Sequence, residues 1–326
     1  MMHGFDAQFV DLPDYILKIT EEIWERRGLA TLRRYYAEDV IMRTPMGVVR
    51  GNEAVIAGTL ATIAEFPDRQ LFGEDIIWSG DDRAGFLSSH RIRSVGTHTG
   101  HGIFGPPTGR RIAVRAIADC AAKDNVIYDE WLTRDSSAIA LQLGLDPVAY
   151  ARSLIEREGG VHTAKKAYSP AIDVTGNYRS TGNENRWGLL LADLLTGIMN
   201  MDFAVISREY DRAVKTEHPG LCSGWGRESA DAFWLKLRSS FPSALFEIHH
   251  RIGREDAKQP IRAAVRWSLT GLHEGFGAYG APTGAEVHVM GISHAEWGPW
   301  GLKHESTVFD EIAIWKQILL HTGAHA

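Results

Sequence analysis

GTHTGHGIFGPPTG at 96–109 returns as GLHEGFGAYGAPTG at 271–284, and eight of the fourteen positions are identical. Gly96, His98, Gly100, Gly102, Gly105, Pro107, Thr108 and Gly109 stand against Gly271, His273, Gly275, Gly277, Gly280, Pro282, Thr283 and Gly284. Unrelated stretches of average composition would share roughly one. The same offset, 271 − 96 = 175 residues, also pairs Gly51 with Gly226, Glu53 with Glu228, Phe66-Pro67 with Phe241-Pro242, Arg91 with Arg266, and Asp135 with Asp310. One ungapped register over most of a domain predicts two copies of one unit, fused head to tail.

Working outward from the hairpin, Ile16, Ile19 and Ile23 recur at the spacing of one helix face, and Leu191, Leu194 and Ile198 are their counterparts. Asp11 before Leu12-Pro13 is a candidate N-cap. Further helices are expected near 28–37 and over 52–65. After Pro67 the pattern turns to strands, at 84–95, 111–119 and 125–135, rich in branched and aromatic residues. Helices followed by a meander predict an α+β fold with an antiparallel sheet. The expected domains are 1–150 and 186–326, joined by a polar linker over 151–185 that is long enough to let the copies pair side by side.

At 326 residues the chain can bury two cores. A net charge of -6 with no basic block argues against nucleic acid or an acidic membrane as partner. No apolar run approaches the ~18 residues of a membrane span. MMHGFDAQFVDLPDY (1–15) lacks a cationic stretch before an apolar core, so no secretory leader is expected. Cys120 and Cys222 occupy non-equivalent places and form no framework. A cytoplasmic protein is expected. Both hairpins satisfy Gly-x-Gly-x-x-Gly, but a dinucleotide site needs a helix to open there. A strand follows instead, so the glycines are assigned to a bulged hairpin and no cofactor is expected.

The order of helices, RGNEA (50–54), a long strand, the PPTG hairpin, two more strands and EWLTRDSSAIALQLG (130–144) resembles the SnoaL-like polyketide cyclases of the nuclear transport factor 2-like superfamily. The resemblance covers about 12–145 and 187–320. It implies two cone-shaped domains, each a curved antiparallel sheet wrapped by N-terminal helices around a pocket, forming an internal pseudo-dimer. It further implies a cofactor-independent acid–base enzyme, of cyclase, isomerase or lyase type, on a small carbonyl-containing or cyclic metabolite. Superfamily members also include proteins without catalysis, so a non-catalytic small-molecule binder stands as the alternative.

In that family an Asp near the end of the last strand and a His on the preceding strand handle the proton. The matching residues are Asp310 and His294 in copy two, and Asp135 and Asp119 in copy one. Asp135 follows Trp131 in W-x-x-x-D, where copy two has Ser306 and Asp310. The same aspartates would equally cap the helix that follows. His98 and His273 are read as pocket-rim groups or as hydrogen-bonded hairpin staples. Arg115 shares a strand face with Asp119 and is expected to pair with it. Trp297 and Trp300 would lid a pocket, cover a sheet edge or pack on the partner domain. His288, His294 and His304 leave open a metal-dependent hydrolase or lyase, although their spacing is no recognised ligand motif. Small-molecule substrate, no nucleic acid, no membrane, and possible further self-association complete the expected partners.

Overall fold

The computed structural model describes residues 2–323. Copy one begins with α1 (Leu12–Thr20), capped by the Asp11 carboxylate on the Asp14 N–H at 2.9 Å. It continues through α2 (Leu32–Tyr35), β1 (Tyr36–Thr44), β2 (Gly47–Arg50), α3 (Asn52–Glu65), β3 (Gln70–Asp81), β4 (Gly85–Thr97), β5 (Arg111–Lys123), β6 (Val126–Arg134) and α4 (Ser136–Leu143). After α5 (Pro147–Arg157), copy two repeats the order: α6 (Arg186–Met199), α7 (Ala204–Glu209), β7 (Tyr210–His218), β8 (Cys222–Trp225), α8 (Arg227–Ser240), β9 (Leu245–Arg254), β10 (Ile261–Leu272), β11 (Glu286–Gly298), β12 (Gly301–Val308) and α9 (Glu311–Thr322). The helix expected near 28–37 is only a 3₁₀ turn, Leu29–Thr31, and the single turn of α2.

Each copy folds one six-stranded sheet, in the order β2-β1-β6-β5-β4-β3 and β8-β7-β12-β11-β10-β9. The sheets are mixed where an antiparallel one was expected, because β1 runs parallel to β6 and β7 parallel to β12. α3 carries the chain to the far edge, and the meander β3 to β6 then returns with its last strand pointing along the first. All other pairings are antiparallel.

The repeat is not gapless. Tyr36 opens β1 and Tyr210 opens β7, 210 − 36 = 174, whereas Gly51 and Gly226 before α3 and α8 are 226 − 51 = 175 apart. Two single insertions compensate. Copy one continues α1 as a π turn, Glu21–Glu25, which accommodates one extra residue, while α6 is regular. Copy two has three residues, 219–221, between β7 and β8 where copy one has Pro45-Met46.

The glycine-rich repeat is a loop folded onto the end of the long helix. Gly100 lies so close to the Ala64 backbone, and Gly275 to that of Ser239, that a β-carbon would overlap it. Gly105 and Gly280 take positive φ (100° and 79°) in the turn.

The two sheets pack face to face, forming an internal pseudo-dimer. Ile117, Ile292 and Val308 make one apolar cluster between them, and Ile77, Leu87, Ala121, Ile252 and Ala264 another. The connecting segment laces the copies together. Asp173 pairs with Arg43 (2.6 Å), and the Tyr178 hydroxyl meets His250 Nε2 (2.8 Å). Among the described residues no helix is long and apolar enough to cross a membrane.

Candidate functional site

The two cones have diverged: one is hollow and the other is filled. In copy one a cavity of about 340 Å³ runs between α1, α3 and the inner face of the sheet. That volume lies within the usual range of small-molecule pockets. Its walls are mainly apolar, including Ile16, Ile19, Trp24, Met42, Val55, Ile92, Ala116 and Leu132. In copy two the matching space holds aromatic rings. Trp234 stands for Thr59, Trp267 for Ile92, Phe309 for Arg134 and Phe233 for Gly58. Trp234, Trp267 and Phe309 are fully buried, and their ring centroids lie about 6 Å apart, Trp234–Trp267 at 6.1 Å and Trp267–Phe309 at 6.0 Å. Gly291 replaces Ala116, and a methyl there would overlap the Trp267 indole. The filling is built into the second copy's backbone.

Both cones keep one buried glutamate on the inner face of the last strand, Glu130 in β6 and Glu305 in β12. Glu305 is locked. It accepts from Tyr210 Oη (2.7 Å), Thr307 Oγ1 (2.9 Å), His218 Nε2 (3.2 Å) and Trp234 Nε1 (3.4 Å). Burial alone would raise its pKa, but these donors, His218 first, hold it below the usual value. Glu130 keeps only the tyrosine, Tyr36, because Thr44, Thr59 and Leu132 stand where copy two has His218, Trp234 and Thr307. Its Oε2 is buried without a partner. Burial raises Glu130 to about 7, against the opposing pull of Tyr36 and Arg134.

Besides Glu130, four charged or imidazole side chains line the hollow cone. His90 on β4 is fully buried, its Nε2 has no hydrogen-bond partner, and burial drops its pKa to about 4, so the ring is neutral. Arg69 and Arg134 bring two guanidiniums. The fourth comes from the other copy: Asp310, at the start of α9, lines the first copy's cavity. Its Oδ2 accepts from Ser136 Oγ at 2.8 Å and its Oδ1 from the Ile312 N–H at 2.9 Å. Burial raises it to about 7.

The expected site residues do not converge on one pocket. Asp310 and His294 part company, as His294 is buried between the sheets with Nε2 2.8 Å from Ser89 Oγ. Asp119 also lies there, paired with Arg266 at 3.0 Å. Arg115 does not reach Asp119; it pairs with Glu74 (2.7 Å) and Glu217 (3.0 Å). Trp131 sits between the guanidiniums of Arg43 and Arg266, whose carbons lie 4.6 and 3.6 Å from the ring centroid. Asp135 caps α4 through the Ala138 N–H (2.9 Å) and accepts from the Gly220 N–H (3.1 Å). It borders a separate cavity of about 240 Å³ between the copies, with Arg93, Arg115, Glu217 and His218.

His98 and His273 staple their loops, with Nδ1 3.1 Å from Thr108 Oγ1 and 3.0 Å from Thr283 Oγ1. Trp297 is in β11 rather than a loop and packs on Trp187, while Trp300 is exposed in the following turn; neither lines the cavity. His288 meets Thr270 (2.7 Å) and His304 meets Glu217 (3.0 Å), so these two and His294 have separate partners. Among the described residues no three His, Cys, Asp or Glu side chains gather as metal ligands would.

Glu130, His90, Arg69 and Arg134 were not singled out from sequence. The signal for Glu130 was present, since Glu130/Glu305 is itself a repeated pair at offset 175.

Residues 15–143 match the family model described as SnoaL-like polyketide cyclase. Among solved structures, IdmH of Streptomyces antibioticus, named as a candidate polyketide cyclase, is 27% identical, covering 41% of this chain and 98% of its own, with a TM-score of 0.36. A candidate SnoaL-like polyketide cyclase from Jannaschia sp. CCS1 is 18% identical, covering 41% of this chain and 92% of its own, with a TM-score of 0.37. Among curated proteins none matches. The segment 15–143 is thus similar to the SnoaL-like polyketide cyclases, and the second half of the chain repeats its strand order.

Proposed function

We propose that the first cone is the working site of a cofactor-independent acid–base enzyme of cyclase or isomerase type, and that Glu130 is its proton-transfer group. The carrying observation is the contrast at one position. Glu305 is held ionised by four donors in a filled cone, while Glu130 keeps a free oxygen in a hollow one and titrates at about 7. A base poised near neutrality is what abstraction of a proton alpha to a carbonyl requires. The Glu130 carboxylate takes that proton, and the electron pair of the C–H bond moves into the enolate. Neutral His90, as its Nε2–H tautomer, donates to the enolate oxygen. In a cyclisation the enolate carbon attacks a second carbonyl of the same molecule, and the new alkoxide takes its proton from the acid form of Glu130 or Asp310. No atom is gained or lost, so no cofactor is called for.

The roles of Asp310 and Glu130 are separable. Asp310 reaches this cavity from the second copy, so that copy contributes to the site although its own cone is filled. Asp135, Asp119 and His294 are assigned to the joint between the copies.

The test is deuterium incorporation in D2O at the alpha carbon of aromatic and alicyclic 1,3-dicarbonyl compounds, followed by NMR. The wild type is expected to accelerate exchange, with a rate rising to a plateau around a midpoint near 7. Glu130→Gln should lower the rate by about 10²–10⁴-fold, and Asp310→Asn by less. Undiminished exchange in Glu130→Gln would remove it as the base. Saturable binding with no exchange by the wild type would favour a carrier.

A further inference from the structure

Two arginines line the hollow cone, and among the described residues neither makes an ion pair. Arg69, in the turn before β3, donates Nε–H to the Ser94 hydroxyl at 2.9 Å. Arg134, the last residue of β6, has a buried Nε with no hydrogen-bond partner. Among the described residues no ion pair joins either part-buried guanidinium to a carboxylate, whereas three of the buried arginines carry one. Arg43 pairs with Asp129 at 2.6 Å, Arg262 with Asp75, and Arg266 with Asp119 at 3.0 Å. A part-buried cation without an ion-pair partner is costly, and a protein that only needed to fill space would use an apolar side chain. The second cone does this: its residues at the two positions are Ala244 and Phe309. Both arginines therefore accompany the cavity and vanish where it is filled.

We propose that Arg69 and Arg134 form an anion-binding subsite, and that the ligand of the first cone is an apolar ring-bearing carboxylic acid held by its carboxylate. The inference rests on the hollow cone being the ligand site, and not on Glu130 being the base. Geometry supplies the parts: an apolar chamber of about 340 Å³ for the rings, and two guanidiniums in its wall for the head group. Guanidinium–carboxylate contacts are among the stronger charge-assisted hydrogen bonds, and they strengthen when water is excluded. The two charges also feel each other. Burial, then the charge of Arg134, brings Arg69 down to about 9, and a bound anion would relieve that repulsion. The acids in the same cavity act on Arg134 only through space: Glu130 and Asp310 make no ion pair with it, and burial shifts both carboxyls towards the neutral form.

The test compares two probes of one shape, 2-naphthoate and 2-naphthamide, by titration calorimetry and by quenching of Trp24, which lines the cavity. The wild type is expected to bind the acid at least about tenfold more tightly than the amide. That preference should fall below about threefold in Arg69→Met/Arg134→Met and survive in part in Arg134→Lys, which keeps the charge. Circular dichroism and thermal midpoints establish that the variants are folded. Equal affinity for acid and amide, or a preference that persists in the double variant, overturns the proposal, as does absence of saturable binding by either probe. Glu130→Gln should keep the preference while losing exchange, so a failed base assignment and a failed anion subsite read out separately.

Discussion

Glu130 and Glu305 are the same residue at the same strand position, and their surroundings drive them in opposite directions. Glu130 titrates at about 7, above the ordinary 4.5, so the folded state prefers its neutral form. Its ionisation therefore costs stability as pH rises from about 4.5 through 7. Glu305 lies below its ordinary value, so its contribution is present at neutral pH and is lost as pH falls through the lowered pKa. Glu130→Gln is accordingly expected to stabilise the protein at pH 8, on the order of 2 kcal/mol, and to change little at pH 4.5. Glu305→Gln should destabilise it at pH 8 by about 3 kcal/mol, because it breaks a buried charged network. Urea unfolding at both pH values measures this, and equal effects of the two substitutions would refute the contrast. Sequence placed this acid poorly for a physical reason. Both faces of each sheet are buried, so no polar–apolar alternation told the cavity face (Glu130, Leu132, Arg134) from the joint face (Trp131, Thr133).

Among the elements, β5 and β11 show how a duplicated strand was turned from wall to plug support. Ala116 in β5 faces the cavity, while Gly291 in β11 yields its side-chain space to Trp267 of β10. Gly291→Ala should therefore overpack the second cone and cost about 1–3 kcal/mol. The reverse change, Ala116→Gly, meets only open cavity and should cost less than about 1 kcal/mol, the usual penalty of a strand glycine. Thermal unfolding of the two variants checks this, and similar losses would mean that the filling is looser than described. Much at this scale was legible in the repeat. The 96–109/271–284 hairpins, α3 and α8, and the strand meander all follow its register. The exchanges Thr59 to Trp234 and Ile92 to Trp267 were also in the sequence, and they point to a filled second cone. The correspondence of β1 with β7 needed the structure, as did their parallel pairing with β6 and β12. The π turn in one copy and the longer turn in the other shift it to 174, which hid the match of Tyr36 with Tyr210.

At the scale of the whole molecule, the copies are joined by a closed ring of charges. Glu74, Arg91 and Arg115 come from the first copy, and Glu217, Glu296 and His304 from the second. His304 is the member whose ordinary pKa, 6.5, lies near neutrality. Burial alone would lower its pKa, but hydrogen bonds to Glu217 (3.0 Å) and Glu296 (3.4 Å) outweigh that and raise it, against the opposing charge of Arg91. A histidine raised in the folded state contributes stability that is complete below its ordinary pKa of 6.5 and fades as pH climbs through the folded value. Glu130, Asp310 and Glu311, all raised to about 7 by burial, also make the protein less stable as pH rises, so the wild-type slope alone does not isolate the ring. The informative quantity is the difference between wild type and His304→Gln in thermal midpoint at pH 6 and at pH 8.5. The variant should be clearly less stable at pH 6, where it lacks the cation between two glutamates, and the deficit should shrink as pH climbs above 6.5. A constant difference across that range would mean that His304 holds the copies together by packing rather than by charge. Because Asp310 of the second copy lines the cavity of the first, loosening the joint should also weaken naphthoate binding over the same pH window, linking the seam between the copies to the site.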